Sequence, residues 1–239
     1  MTAFTQTVTG ALSFSGSLSK KVNHRTIISA LQWSEALRCR ERSLQWTPDY
    51  GHAASPPALD GTQQYGSSNG GGLWRCTLNG VQLRSTAQIK AWLALEIQLR
   101  GGKVPIDVPL FLWVYQPKPV VGASVDIAAV GGWAARAIGG TVVLNDADGL
   151  EPGQHFSDYD ATIYGWRMHR IESVSAVGGQ PTQRYITFWP PARFAVADTH
   201  ALEFDEPRCV MRLAGSGSMD LDLDLRKRGN PNAELVEAF

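Results

Sequence analysis

The sequence predicts a mainly-β fold with one flanking α-helix, and three observations lead to that reading. Short runs alternate apolar and polar residues along most of the chain. Turn-forming residues punctuate those runs, with 24 glycines and 13 prolines in 239 residues. A single long stretch, residues 85–100, switches to helical periodicity.

The alternating runs begin early. Val8, Leu12, Phe14, Gly16 and Leu18 share one parity, as do Ile27, Leu31 and Trp33. Residues 47–72, TPDYGHAASPPALDGTQQYGSSNGGG, then lose periodicity and read as a long loop or arm that orders against a neighbour. Trp74, Cys76 and Leu78 resume the strand pattern. The helix follows, with Ile89, Trp92, Leu93 and Ile97 expected on its apolar face. Ser85 and Gln88 have the spacing of a capping box, and Gly101-Gly102 supplies the stop. Val104, Ile106, Val108 and Leu110 form the next strand. GGWAARAIGG (131–140) reads as a short strand between turns. Tyr164, Trp166 and Met168 then share a parity, followed by the strand-like YITFW and CVMRL. KRGNPNAELVEAF reads as a tail with one helical turn after Asn230-Pro231-Asn232. The expected division is 1–111 plus 185–239 as a β-sandwich or split barrel, with 112–184 a candidate small inserted β domain.

Charge and cysteine content exclude several classes. Lys plus Arg equals Asp plus Glu at 22 each, so the basic excess of a phosphate-gripping protein is missing. Cys39, Cys76 and Cys209 are widely spaced, without the paired spacing of a zinc or iron–sulfur site, and are expected to be buried and reduced. The N-terminus lacks the pattern of a signal peptide, and no apolar run reaches the ~20 residues of a membrane span, so no membrane anchor is expected. Synthesis in a cytoplasm is the corresponding expectation.

The run MDLDLDLRK (219–227) raises the question of metal binding. In a strand, Asp220, Asp222 and Asp224 would project from one face about 7 Å apart, with Met219, Leu221, Leu223 and Leu225 toward the core. A calcium loop would need Gly and Glu where Leu225 and Pro231 stand, so the strand reading is preferred. The DxDG of residues 146–149 reads as a hairpin turn. Arg38, Arg40 and Arg42 alternate along one strand face. His155 and His169 have the spacing to converge across a hairpin, without an evident third group to orient them. Glu96 and Glu151 are the carboxylates considered for glycoside hydrolysis, and nothing in the sequence brings them together. No nucleophile elbow or phosphate loop occurs, and GSGS (215–218) reads as a turn. No catalytic residue, cofactor or metal site is expected. Eight tryptophans raise a carbohydrate-binding alternative resting on Trp113 or Trp133.

The order of motifs carries a resemblance. LWRCTLNGVQL leads into the capped helix and GGKVPIDVPLF; LEPGQHFSDYDATIYGWRMHRIESV comes later, then YITFWPPARFAVADTHALEFDEPRCVMRLAG. This succession, over about residues 70–215, resembles the distal-tail and minor tail-tip proteins of long-tailed bacteriophages and gene transfer agents. The positions that carry it are Trp74, Arg75, Trp92, Leu99, Gly101, Gly102, Gly153, Phe156, Tyr164, Pro190, Pro191, Arg193, Pro207, Met211, Arg212 and Leu213. The resemblance implies a tail-tube-like β-sandwich or split barrel and a structural virion protein of the tail tip. It implies partners too: identical copies in a ring, hexameric by preference and trimeric as the alternative, with tail tube, tape-measure and hub proteins as neighbours. DNA would pass through the channel without specific binding. On that reading Asp220, Asp222 and Asp224 face the lumen or a subunit contact, and Tyr50, His52 and Tyr65 belong to an inter-subunit arm.

Overall fold

The computed structural model describes residues 43–50, 52–54, 65–67, 72–110, 127–143, 150–160, 165–204, 206–215, 217–219, 221 and 229–238. It is mainly β, with one α-helix among the described residues. The chain divides into two compact units. Residues up to Thr47, Arg75–Val108 and Val210 onward form the first, and Pro48–Trp74 with Pro109–Cys209 form the second. The sequence expectation ended the inserted domain at residue 184, which would cut a continuous strand, Gln180–Trp189, hydrogen-bonded to neighbours on both sides. The second unit instead runs on to Cys209.

The first unit rests on a five-stranded sheet. Its strands are β1 (Ser43–Asp49), β4 (Leu73–Asn79), β5 (Ile106–Pro109), β12 (Arg208–Leu213) and β13 (Ala233–Glu237), in the order β1-β4-β13-β12-β5. On β4, Trp74, Cys76 and Leu78 are buried while Arg75 is exposed, as period two requires. Ile106 and Val108 are buried, and so is Asp107 between them. The C-terminal segment corrects the expectation of a tail. Its residues 233–237 form a central strand, antiparallel to β4 (Leu235 opposite Cys76) and to β12 (Met211 opposite Glu237). Pro231 stops short of the strand, and its carbonyl accepts a hydrogen bond from Val81 N–H. Ala233, Leu235 and Glu237 are the buried parity, a pattern too short to separate strand from helix by sequence.

The helix, α1 (Thr86–Leu99), starts and stops as its sequence dictates. The Ser85 side chain accepts from Gln88 N–H, and the Gln88 side chain reaches back to the Ser85 N–H, closing the capping box. We expect Ser85→Ala to lower stability by about 1 kcal/mol, read as a drop in urea midpoint. At the other end Arg100 itself takes the left-handed conformation, followed by Gly101 at φ 63°. The buried face differs from expectation. Ala91, Trp92, Leu95 and Leu99 are inside, whereas Leu93 and Ile97 are exposed and Ile89 is half-buried. Positions three and four apart from Trp92 decide the face, and Ile89, Leu93 and Ile97 form a separate row four residues apart. The Trp92 indole N–H donates to the Met219 carbonyl at 3.3 Å.

The second unit is a six-stranded sheet in the order β11-β6-β7-β10-β9-β8. Its strands are β6 (Ile127–Val130), β7 (Gly139–Val143), β8 (His155–Asp160), β9 (Gly165–Val177), β10 (Gln180–Trp189) and β11 (Ala201–Leu202). The sheet curls until its ends meet: Ser157 on β8 and Glu203, just past β11, exchange two backbone hydrogen bonds of 2.8 and 2.9 Å. Aromatic rings fill the curl. Phe156 meets Phe188 edge-on at 5.3 Å and stacks with Phe204 at 5.2 Å, while Trp133 lies 5.2 Å from Phe188. A Cβ at Gly140 would sit 2.2 Å from the Trp133 indole nitrogen, so the ring is seated where only glycine leaves room.

Two further features qualify the sequence reading. Part of the supposed loop pairs with itself: β2 (His52–Ala54) lies antiparallel to β3 (Tyr65–Ser67), with Ala54 opposite Tyr65. On the far side of the curled sheet, β9 outruns β8. Their register ends at His155 opposite Arg170, and β9 continues to Val177 with Glu172, Ser173, Ser175 and Ala176 exposed.

Candidate functional site

The polar residues with the most unusual surroundings gather on β8 and β9 of the second unit. The register sets His155 opposite Arg170, Phe156 opposite His169, and Asp158 opposite Arg167. Successive strand residues face opposite sides of a sheet, so His155 and His169 do not converge. The two histidines anticipated as a pair belong to two different clusters.

His155 shares its face with an aromatic group. Its ring lies 5.7 Å from Trp74, which meets Trp189 edge-on at 5.3 Å, and Tyr50 lies 4.7 Å from Trp189. The Arg170 guanidinium sits over Trp74, 5.8 Å from the ring centre. Trp74 is fully buried, and its indole N–H donates to the Met168 carbonyl at 2.8 Å. Gly72, at φ 94°, brings the chain under Trp189, where a Cβ would stand 2.2 Å from the ring. Burial of His155, with the positive charge of Arg170 as the second cause, lowers its pKa to about 4. At neutral pH the imidazole is therefore uncharged.

On the opposite face Asp158 and His169 are both fully buried, with His169 Nε2 3.3 Å from Asp158 Oδ1. His169 Nδ1 lies 2.6 Å from the Pro190 carbonyl. A carbonyl oxygen only accepts, so Nδ1 carries the proton and donates it. The ring stacks on Phe156 at 5.0 Å and meets Phe188 edge-on at 4.9 Å. His169 of β9 thereby holds the turn after β10 through Pro190 and faces Asp158 of β8, with no hydrogen bond between Nε2 and the carboxyl oxygens. The imidazole is sealed between two phenyl rings and committed at Nδ1, a fastening rather than a site open to a ligand. Arg167, also buried, extends one guanidinium nitrogen to within 3.4 Å of the Gly72 carbonyl.

The remaining anticipated positions fall as follows. Trp74, Trp92 and Met211 are core residues, and Arg212 is exposed beside Met211 on β12. Pro190 is buried and follows a cis peptide bond, while Pro191 and Arg193 are half-buried. Tyr50 is 41% exposed and belongs to the aromatic group on the second unit. His52 and Tyr65 lie on the paired strands β2 and β3. Tyr164, Asp220, Asp222 and Asp224 lie outside the described residues, as do Cys39, Trp113, the DxDG turn and the Arg38–Arg42 run. Of the residues beside the ladder, Met219 lies in a turn and is buried, and Leu221 is described outside any strand. The GSGS turn forms as expected, with Gly215 N–H donating to Ser218 Oγ at 2.8 Å. Cys76 and Cys209 are buried and are not joined in a disulfide. Trp133 is 5% exposed, with its indole N–H on the Thr141 carbonyl, and offers no platform for a sugar. Glu96 is part of the first unit and Glu151 of the second.

Among the described residues no three His, Cys, Asp or Glu side chains group as metal ligands, and no helix is long and apolar enough to cross a membrane. Sequence reasoning missed Asp158 and the Pro190 carbonyl altogether. The alternation of HFSDYD was available as a signal, since it places Asp158 on the same face as Phe156. Comparison with protein-family models and with curated proteins gives no match to this chain.

Proposed function

We propose that this chain is a structural virion protein of a bacteriophage-type tail tip, a subunit of a distal tail ring that surrounds the channel for DNA ejection. The observation that carries the reading is the ordered set of motifs over about residues 70–215, on a mainly-β chain with one capped helix. Those motif positions act as framework: Trp74, Trp92 and Met211 fill cores, Gly101 turns the chain out of the helix, and Pro190 fastens His169. Framework roles suit a protein whose work is assembly.

The surface supports the same reading. Ile97 is 75% exposed, Ile138 65% and Leu93 41%, apolar side chains that contact with another protein would cover. Sheet edges that are hazardous in a monomer become interfaces when copies close around a rotation axis. The even balance of acidic and basic residues suits a channel that lets phosphates slide past. Hexameric order is the preferred form, with tube, tape-measure and hub proteins as axial neighbours.

Negative-stain electron microscopy of the purified protein, with mass determination across a concentration series, tests the proposal. Closed rings with a central hole are expected, and six or three copies per ring separate the distal-tail reading from a trimeric hub. A species that stays monomeric at high concentration overturns both.

A further inference from the structure

We infer that the overhanging edge of β9, residues 172–177, pairs antiparallel with the same edge of a second copy of this chain. The overhang is a consequence of register. β8 stops opposite Arg170, with Ile171 N–H on the Gln154 carbonyl and Gly153 N–H on the Ile171 carbonyl as the last ladder bonds. Beyond that point β9 is bonded to β10 through Ser173 opposite Thr187 and Ser175 opposite Tyr185, which leaves its other side as an edge among the described residues. Side chains on both faces of this edge are exposed, Ser173 and Ser175 on one and Ala176 on the other.

The edge lacks the protections that keep strands apart. Between Ser173 and Gln183 the sequence SVSAVGGQPTQ has no charged residue, and the stretch 172–177 has no lysine and no proline. Its own composition selects a second copy as the occupant. A two-fold axis through Ser175 sets Ser175 against Ser175, Val174 against Ala176, and Ser173 against Val177. Such a pairing juxtaposes small side chains, with Ser175, whose Oγ donates to the Tyr185 carbonyl at 3.3 Å, at its centre. The one charge, Glu172, falls opposite Gly178 of the second copy, so no like charges meet. An edge carrying scattered charges would repel its own image; this one does not.

The contact is isologous, unlike the head-to-tail contacts that generate a ring, so it stands or falls apart from the ring reading. Two experiments on the full chain test it. In the first, Ser175→Cys is oxidised: a covalent dimer through position 175 is expected, whereas the same change at Thr182, on β10, should give little. In the second, Ser175→Lys and Ser175→Glu are each expected to weaken dimerisation in sedimentation velocity by at least about tenfold, with an equimolar mixture restoring it. Ser175 is exposed, as is its bond to the Tyr185 carbonyl, so both variants should keep the wild-type circular dichroism and stay close to its unfolding midpoint. Failure of Ser175→Cys to cross-link, dimerisation unchanged in either charged variant, or no recovery on mixing overturns the inference. Rings in the microscope would persist in that case.

Discussion

Replacing His169 by leucine is expected to destabilise the protein by about 3 kcal/mol, because it removes the polar group facing the fully buried Asp158 and the donor to the Pro190 carbonyl. Asp158 is wholly inaccessible, with its Oδ1 3.3 Å from His169 Nε2 and with Arg167 opposite it across the strands. Leucine fills much of the space between Phe156 and Phe188, so lost packing is the smaller part of the penalty. The Pro190 carbonyl loses its donor at the same time. Two companion variants separate the charge from the packing. In Asp158→Asn the amide N–H can donate to an Nε2 lone pair while Nδ1–H stays on Pro190, so the loss should be much smaller than in Asp158→Leu. In the double variant Asp158→Leu with His169→Leu, the cost should fall well below the sum of the single changes, since the two side chains face each other and neither is left without the other. Urea unfolding of the four proteins measures all of this. A loss near 1 kcal/mol for His169→Leu, or strict additivity in the double variant, would show that the couple does not hold the turn after β10.

A second large effect should appear on acidification. The folded state holds the His155 pKa at about 4, against 6.5 for the unfolded chain, through burial first and the charge of Arg170 second. As pH falls below about 6.5 the unfolded chain takes up a proton that the folded one refuses, and stability declines. The decline is complete near pH 4, where the folded form also protonates. Above about 6.5 the contribution is whole. A shift of this size corresponds to about 3 kcal/mol, at 1.36 kcal/mol per pKa unit. Unfolding midpoints measured from pH 7.5 to pH 4 should therefore fall more steeply in the native protein than in His155→Gln, which has no proton to gain there. Parallel profiles would mean that His155 is not packed against Trp74 as described.

Local signals were legible wherever a few adjacent residues decide the outcome. The capping box of Ser85 and Gln88 forms because both partners lie within one turn. Parity placed Trp74, Cys76 and Leu78 inside, since alternate residues on a strand share a face. The helix face was misjudged because Leu93 and Ile97 are as apolar as Leu95 and Leu99, and only the packed partner chooses between the two rows. The tail AELVE became a central strand for a similar reason: five residues of mixed propensity follow whichever ladder is open, here between β4 and β12.

The polar clusters show the same division. HFSDYD and GWRMHRI specify strands, and their alternation fixes which residues share a face. The register between them is a matter of hydrogen bonds across sequence-distant segments, and one residue of slip would exchange the two faces. That register gave His155 to Trp74 and His169 to Asp158. The sequence by itself determined a β-rich chain with one capped helix and an even balance of acidic and basic residues. Tertiary structure alone decided which strands are neighbours, which histidine is buried beside a carboxylate, and where β9 runs past its partner, because each of these depends on contacts between residues far apart in the chain.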